Sequence, residues 1–269
     1  MGSNAIGEFL KARRAQVRPE DVDLAPGTRR RVSGLRRTEV ALLAGVSSDY
    51  YVRLEQGRER NPSPQVIDAL ARALDLDEDA RAYLHELARP RPRPRVRARK
   101  EQVSPALVAM MAAWTSTPAV VLGRCMNVLA HNQLGEALFA GHTYSDDLVR
   151  LVFLDPDARD FYPDWERVAI NTVGGLRSHT DPDDQWLIQT VGELSLKSED
   201  FRRLWARHDI RQKGRETKRF RHPLVGELTL TYESLTVNSA PGQQLVVYQA
   251  EPGSPSAEAL SLLGSLTAR

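Results

Sequence analysis

Cysteine occurs once in these 269 residues, at Cys125, so no intramolecular disulfide can form and no cysteine-based zinc site can be built. Long apolar runs are missing as well. The longest, residues 106–114, falls far short of the roughly 20 residues that a membrane-crossing helix needs. No secretory signal pattern precedes the first helical pattern, so the expectation is a soluble cytoplasmic chain with no membrane partner. Catalytic signatures are absent too. The chain has no Gly-x-Ser-x-Gly, no phosphate loop and no dinucleotide glycine string, and no His, Asp and Glu set has metal-ligand spacing. Neither an enzyme nor a required cofactor or metal is expected. Lysine is scarce beside arginine, which reads as a coding bias without functional meaning.

What is present is a split of charge. Residues 1–100 hold 21 Lys+Arg against 14 Asp+Glu, a net of +7, while the rest hold 16 against 21, a net of −5. The length allows two domains, each with its own core. A basic first part fits a polyanion partner, and an acidic remainder argues against DNA wrapping the whole molecule.

Within the basic part, residues 40–57 read as helix, turn, helix. Ala41, Ala44 and Gly45 are small where two helices must approach, and Gly45 can adopt the positive φ of a tight turn. Ser47 is a good N-cap, and Val46 can staple onto Tyr51. Tyr51 and Leu54 then face inward, leaving Ser48, Asp49, Val52 and Arg53 outward to meet double-stranded DNA in the major groove. Arg53 is suited to bidentate reading of guanine. Asp49 either accepts from cytosine or holds Arg53 one turn away. Tyr50 is placed for a phosphate, Arg36, Arg37, Arg58 and Arg60 flank the motif, and Ser47 lies at its edge. Other helices are expected over 5–17, 64–74 and 78–88, giving an all-α, five-helix first domain over 1–88.

The run from Ala44-Gly45-Val46-Ser47 through Leu54-Glu55-Gln56-Gly57 resembles the phage-repressor-type, or Xre, helix-turn-helix family. The resemblance implies a structural salt bridge between Arg14 on the first helix and Glu55. The connection at 18–34, with Pro19, Pro26, Gly27 and the triplet Arg29-Arg30-Arg31, is longer than is usual there. Together with Gly34-Leu35-Arg36-Arg37 it narrows the resemblance to one subfamily. The triplet is a candidate for the DNA backbone or minor groove, or a basic loop only.

Residues 89–103 form an Arg/Pro-rich linker in which alternating proline excludes helix and favours an extended spacer. It either touches DNA or is a solvated connection. A second domain spans 104–252, followed by a C-terminal tail over 253–269. Helical patterns fall at 105–116, 133–139, 147–153, 162–179, 184–196 and 199–207. A small hairpin surrounds Gly123-Arg124, and strands are expected over 216–221, 227–237 and 244–249. Thr229, Thr231 and Glu233 alternate with Leu228, Leu230 and Tyr232, as in a sheet with one wet face. The result is an α+β domain, an antiparallel five-stranded sheet covered by helices, which looks like a PAS-type sensor.

The strings Val128-Leu-Ala-His-Asn132, Asn171-Thr-Val-Gly-Gly-Leu-Arg177, His222-Pro-Leu-Val-Gly-Glu-Leu-Thr-Leu230, Phe201-Arg-Arg-Leu-Trp205 and Leu245-Val-Val-Tyr248 resemble the MmyB-like family of actinobacterial transcription regulators. That family joins an Xre helix-turn-helix to a PAS-like domain. The resemblance implies an effector site for a small apolar or fatty-acid-like molecule. One departure is His131, where the family often has an aromatic. Candidate pocket residues are Leu129, His131, Phe139, Trp165, Arg177, Trp205, His208, His222, Tyr232 and Tyr248, with Trp186 beside them; each aromatic also reads as plain core. Arg177 is suited to a ligand carboxylate or to capping its own helix. His208 and His222 would form a polar end to the pocket or sit as satisfied core histidines. Cys125 reads as a small buried residue, or as a redox thiol with its pKa lowered by Arg124. The expectation is a sequence-specific transcriptional regulator, a homodimer on a (pseudo)palindromic operator, with its second domain sensing a ligand. The alternative is a second domain that only dimerises or touches RNA polymerase.

Overall fold

Four of the first five helices start on a side chain that accepts from their orphan amides. In the computed structural model, Asn4, Ser47, Ser63 and Asp77 cap α1 (Ala5–Gln16), α3 (Ser48–Glu55), α4 (Pro64–Ala73) and α5 (Glu78–Ala88) in this way. The short α2 (Arg37–Leu43) relies instead on Glu39, whose carboxylate reaches back to the Arg36 amide at 2.6 Å. The structure describes residues 4–22, 32–59, 61–89, 101–179, 184–209 and 216–267. Arg29, Arg30, Arg31, Arg60 and linker residues 90–100 lie outside the described residues. The chain divides into two units: residues 1–95 with 205–211, and residues 96–204 with 212–269.

In the first unit, Phe9, Leu10, Leu35, Val40, Tyr51, Leu54, Leu70, Leu74 and Leu84 lose all contact with solvent and make one core. Gly45 closes α2 with φ 65°, its amide bonding Leu42 and that of Val46 bonding Ala41, which is the Schellman ending. A short 3-10 turn, Pro19–Val22, follows α1. The chain re-enters where the Leu35 amide donates to the Arg14 carbonyl at 3.0 Å. Gly34 is obligatory beside it, because a Cβ there would lie 2.5 Å from that same carbonyl.

The second unit runs α6 (Pro105–Ala112), β1 (Ala119–Leu122), β2 (Val128–His131), α7 (Gln133–Phe139), α8 (Leu148–Leu154), α9 (Ala158–Phe161), α10 (Trp165–His179), α11 (Gln185–Lys197) and α12 (Glu199–Ala206). Strands β3 (Glu216–His222), β4 (Gly226–Thr236) and β5 (Gln244–Ala250) follow, then α13 (Pro255–Thr267). The sheet order is β2-β1-β5-β4-β3, antiparallel throughout. Register puts Phe220, Leu228, Leu230, Tyr232, Val246 and Tyr248 on one face, buried against α7 to α10 through a cluster with Phe139, Phe161 and Tyr162. On the other face Ala119, Val121 and Leu245 pack under α6 around Met111, while Thr229 and Glu233 stay exposed as the alternation requires.

Asn132 holds this layout together. Its amide nitrogen donates to the carbonyls of Thr117 at 2.7 Å and Trp114 at 2.9 Å, and its oxygen accepts from Ala119 and Gly135 at 2.9 and 2.8 Å. One buried side chain thus ties the end of α6 to β1 and to the start of α7.

Three expected elements differ. The helix expected from 162 begins at Trp165, because Pro163 forces Tyr162 out of helical geometry, at φ −108° and ψ 94°, and its ring turns into the core. The helix expected to 116 stops at Ala112. Residues 253–269 are not a tail: α13 starts at Pro255 with Ser254 accepting from Ala257, and buries Leu260 and Leu263 against α7 and the sheet. Burial of that stripe explains why the helix belongs to the domain.

Candidate functional site

The outer face of α3 is built by fixing its inner face. Tyr51 and Leu54 are fully buried, so Ser48, Asp49 and Arg53 are held exposed, with Tyr50 and Val52 partly so. Ser47 accepts from the Tyr50 amide at 3.2 Å, which fixes the helix start while its own surface stays open. The Arg53 guanidinium stands 5.9 Å from the Tyr50 ring centroid. No ion pair joins Asp49 to Arg53 among the described residues, so the reading of Asp49 as a tether for Arg53 finds no contact. Arg58 is exposed at the end of the motif.

The helix is anchored at its other end by Glu55. This carboxylate, 2 % exposed, accepts from Arg14 Nε at 2.6 Å on one oxygen and from Arg37 Nε at 2.6 Å on the other. Arg14 also donates to the Leu35 carbonyl at 2.8 Å. Burial opposes the Glu55 charge, yet the bonds from Arg14 and Arg37 win and hold its pKa below the usual carboxylate value. Burial together with the Glu55 charge raises Tyr51 well above an ordinary phenol. Arg37, counted among the DNA contacts from sequence, therefore works inside the fold as well, at 47 % side-chain exposure. Arg36 is exposed at the start of α2 and is already engaged within the protein. Asn4 closes the same corner by donating to the Glu55 carbonyl at 2.8 Å.

In the second unit the residues expected to line one pocket are dispersed. Tyr232 lines a cavity of about 30 Å³ between the sheet and α8 and α10, with Leu122, Met126, Val152, Tyr162 and Lys218 around it. Leu129, His131 and Phe139 border a different groove, of about 380 Å³, along β2 and α7. Phe139 and Tyr248 belong to the aromatic core, their ring centroids 5.9 Å apart. Trp165 donates Nε1 to the Val152 carbonyl at 2.8 Å and carries the Arg159 guanidinium 3.8 Å above its ring. His222 is a satisfied core histidine: Nε2 bonds the Ala137 carbonyl at 3.0 Å and Nδ1 accepts from Leu224, with burial lowering its pKa. Arg177 is buried in α10 and already engaged within the protein. Trp205 and His208 fall in the segment grouped with the first unit, and Trp186 is 58 % exposed, so it walls no pocket.

The redox reading of Cys125 is overturned. Burial and the carboxylates of Asp184 and Glu101 push its thiol up to about 12, while Arg124, paired with those same carboxylates at 3.5 and 3.2 Å, is neutralised as an activator. Among the described residues no group of three or more His, Cys, Asp or Glu could hold a metal ion, and no helix is long and apolar enough to cross a membrane.

Lys218 was not singled out from sequence. It stands on the buried face of β3, between Glu216 and Phe220, with its ammonium 5.6 and 5.0 Å from the ring centroids of Tyr162 and Tyr232. A lysine amid strand residues reads as a solvated position until the register is known.

The family described as a helix-turn-helix domain matches residues 5–84, and that described as the MmyB-like transcription regulator ligand binding domain matches residues 103–263. No curated protein matches the chain. Both families are regulatory, and they meet here on a capped, outward-facing α3 and a helix-covered antiparallel sheet. The chain belongs to the MmyB-like transcription regulators and is a DNA-binding regulator with an N-terminal helix-turn-helix and a C-terminal domain of the ligand-binding family.

Proposed function

We propose that the protein acts in the cytoplasm as a homodimer that reads a (pseudo)palindromic operator, with a small apolar or fatty-acid-like molecule in the second domain setting its activity. The observation that carries this reading is α3: Ser48, Asp49 and Arg53 stand exposed on a helix whose inner face and far end are fully committed to the fold. Two such helices about 34–36 Å apart would enter successive major grooves. Arg53 reads a guanine, Tyr50 and Arg58 meet phosphates, and ligand acts by favouring one arrangement of the two reading heads.

Operator selection followed by gel-shift titration tests it. Arg53→Ala should cost about 1–3 kcal/mol at one base position and relax the choice there. Affinity for the selected operator should fall steeply as salt rises. Unchanged affinity in the variant, or a flat salt response, would sink the reading.

A second reading is favoured by α11, where Trp186, Ile188 and Leu196 are exposed at 58, 57 and 87 %. There the second domain serves only as a dimerisation or RNA-polymerase contact. Native mass spectrometry separates the two, since a co-purifying lipid-sized species favours sensing.

A further inference from the structure

The cavity between the sheet and α8 and α10 has one apolar side, made by Leu122, Met126, Leu148, Val152 and Val246, and one side carrying polar groups, made by Tyr162, Asn171, Thr172 and Tyr232. Into it projects one cation, Lys218. Among the described residues no carboxylate or carbonyl oxygen bonds the ammonium; its neighbours are the faces of Tyr162 and Tyr232. The one carboxylate on the same strand face, Glu216, is occupied elsewhere. One of its oxygens accepts from Asn171 at 2.6 Å, the other from the Tyr232 hydroxyl at 2.9 Å, and Arg167 approaches at 3.8 Å. So the protein spends its nearby negative charge on other donors and leaves the cation facing aromatic rings.

Desolvation draws the Lys218 pKa down to about 8 despite Glu216, which leaves the half-buried ammonium charged at neutral pH. A charge in such surroundings persists where something supplied from outside completes it. Resting on the ligand reading above, we infer that Lys218 is the group that selects for acidity: it pairs with the carboxylate of an apolar acid, while Tyr162 and Tyr232 flank that headgroup. The space of about 30 Å³ is that of about one water, so the carboxylate enters only as the wall gives way. Met126, the unbranched side chain in that wall, is the one that can yield to the acid's apolar body. Arg177 is a poorer anchor, being engaged within the protein already.

The test is calorimetric titration of the full-length protein with dodecanoate and with its methyl ester, both below their micelle or solubility limits. The wild type should prefer the acid by at least about tenfold, as a charge-assisted bond is lost in the ester. Lys218→Met should bind both equally and Lys218→Arg should keep the preference. Equal binding of acid and ester by the wild type, or a preference that survives in Lys218→Met, overturns the assignment of Lys218 alone. If neither compound binds the wild type, the ligand reading of the domain falls and the assignment with it. Unchanged circular dichroism of Lys218→Met shows that a lost preference is not lost folding.

Discussion

In the first unit the charge taken out of water, Glu55, is answered on both oxygens by Arg14 and Arg37, whereas in the second Lys218 meets two tyrosine rings and no carboxylate. Glu55 is buried and Lys218 half-buried. They differ in whether the fold completes them. Glu55 joins α1, α2 and α3, so its charge works as an internal clamp that keeps the outer surface of α3 in one orientation. Among the described residues the Lys218 ammonium finds no hydrogen-bonding partner in the fold and meets only the rings of Tyr162 and Tyr232. A reading head has to be rigid before DNA arrives, since positions on the major groove are fixed to within a hydrogen-bond length.

The strongest way to break this contrast is to open the clamp. Glu55→Ala leaves Arg14 without its partner and should cost the first unit about 3–5 kcal/mol, seen as accelerated amide exchange across α1 to α3, with the second unit unchanged. A smaller loss awaits the polar hub of the other unit. Asn132→Ala strands two carbonyls and two amides and should cost about 2–4 kcal/mol, read from tryptophan fluorescence in urea. Three of the four tryptophans, Trp114, Trp165 and Trp186, lie in the second unit, which makes that signal suitable.

Acid should separate the units further. His222 has a folded pKa below its usual 6.5, so its contribution is present above that value and drains away as pH falls below it. The Glu55 contribution is also present at neutral pH, but it survives until pH falls through the lowered carboxylate range. Between about pH 6.5 and 4.5 the second unit should therefore weaken while the first holds. Urea midpoints across that range, followed by peptide-resolved exchange, would show the reverse order if the assignment of causes is mistaken. The mildest change is Ser47→Ala, which removes only the α3 cap and should cost about 1 kcal/mol in thermal unfolding.

Much of this was legible in the residues. Gly45, Val46 and Ser47 announced the turn because glycine conformation and capping are local, and β4 announced its wet face through strict alternation of Leu228, Leu230 and Tyr232 with threonines. What escaped notice depended on distant partners. Arg37 looked like a phosphate contact because its bond to Glu55 spans two helices. Lys218 carried no signal of its own because the surroundings of β3 are set by elements distant in sequence, α8 to α10. α13 is a different case. Ser254-Pro255 was a readable helix start, and Gly253 just before it masked the signal by suggesting that structure had ended.

The seam between Arg14 and Leu35 has one more consequence. The two residues exchange hydrogen bonds in both directions, Leu35 amide to Arg14 carbonyl and Arg14 guanidinium to Leu35 carbonyl, and Gly34 leaves no clearance there for a side chain. The end of α1 and the approach to α2 are therefore pinned to each other. Closing a longer loop across such a seam costs only about 0.6 kcal/mol for each doubling of its length. A change in the length of the chain between Val22 and Gly34 is thus expected to leave this seam, and α1 and α2 on either side of it, in place.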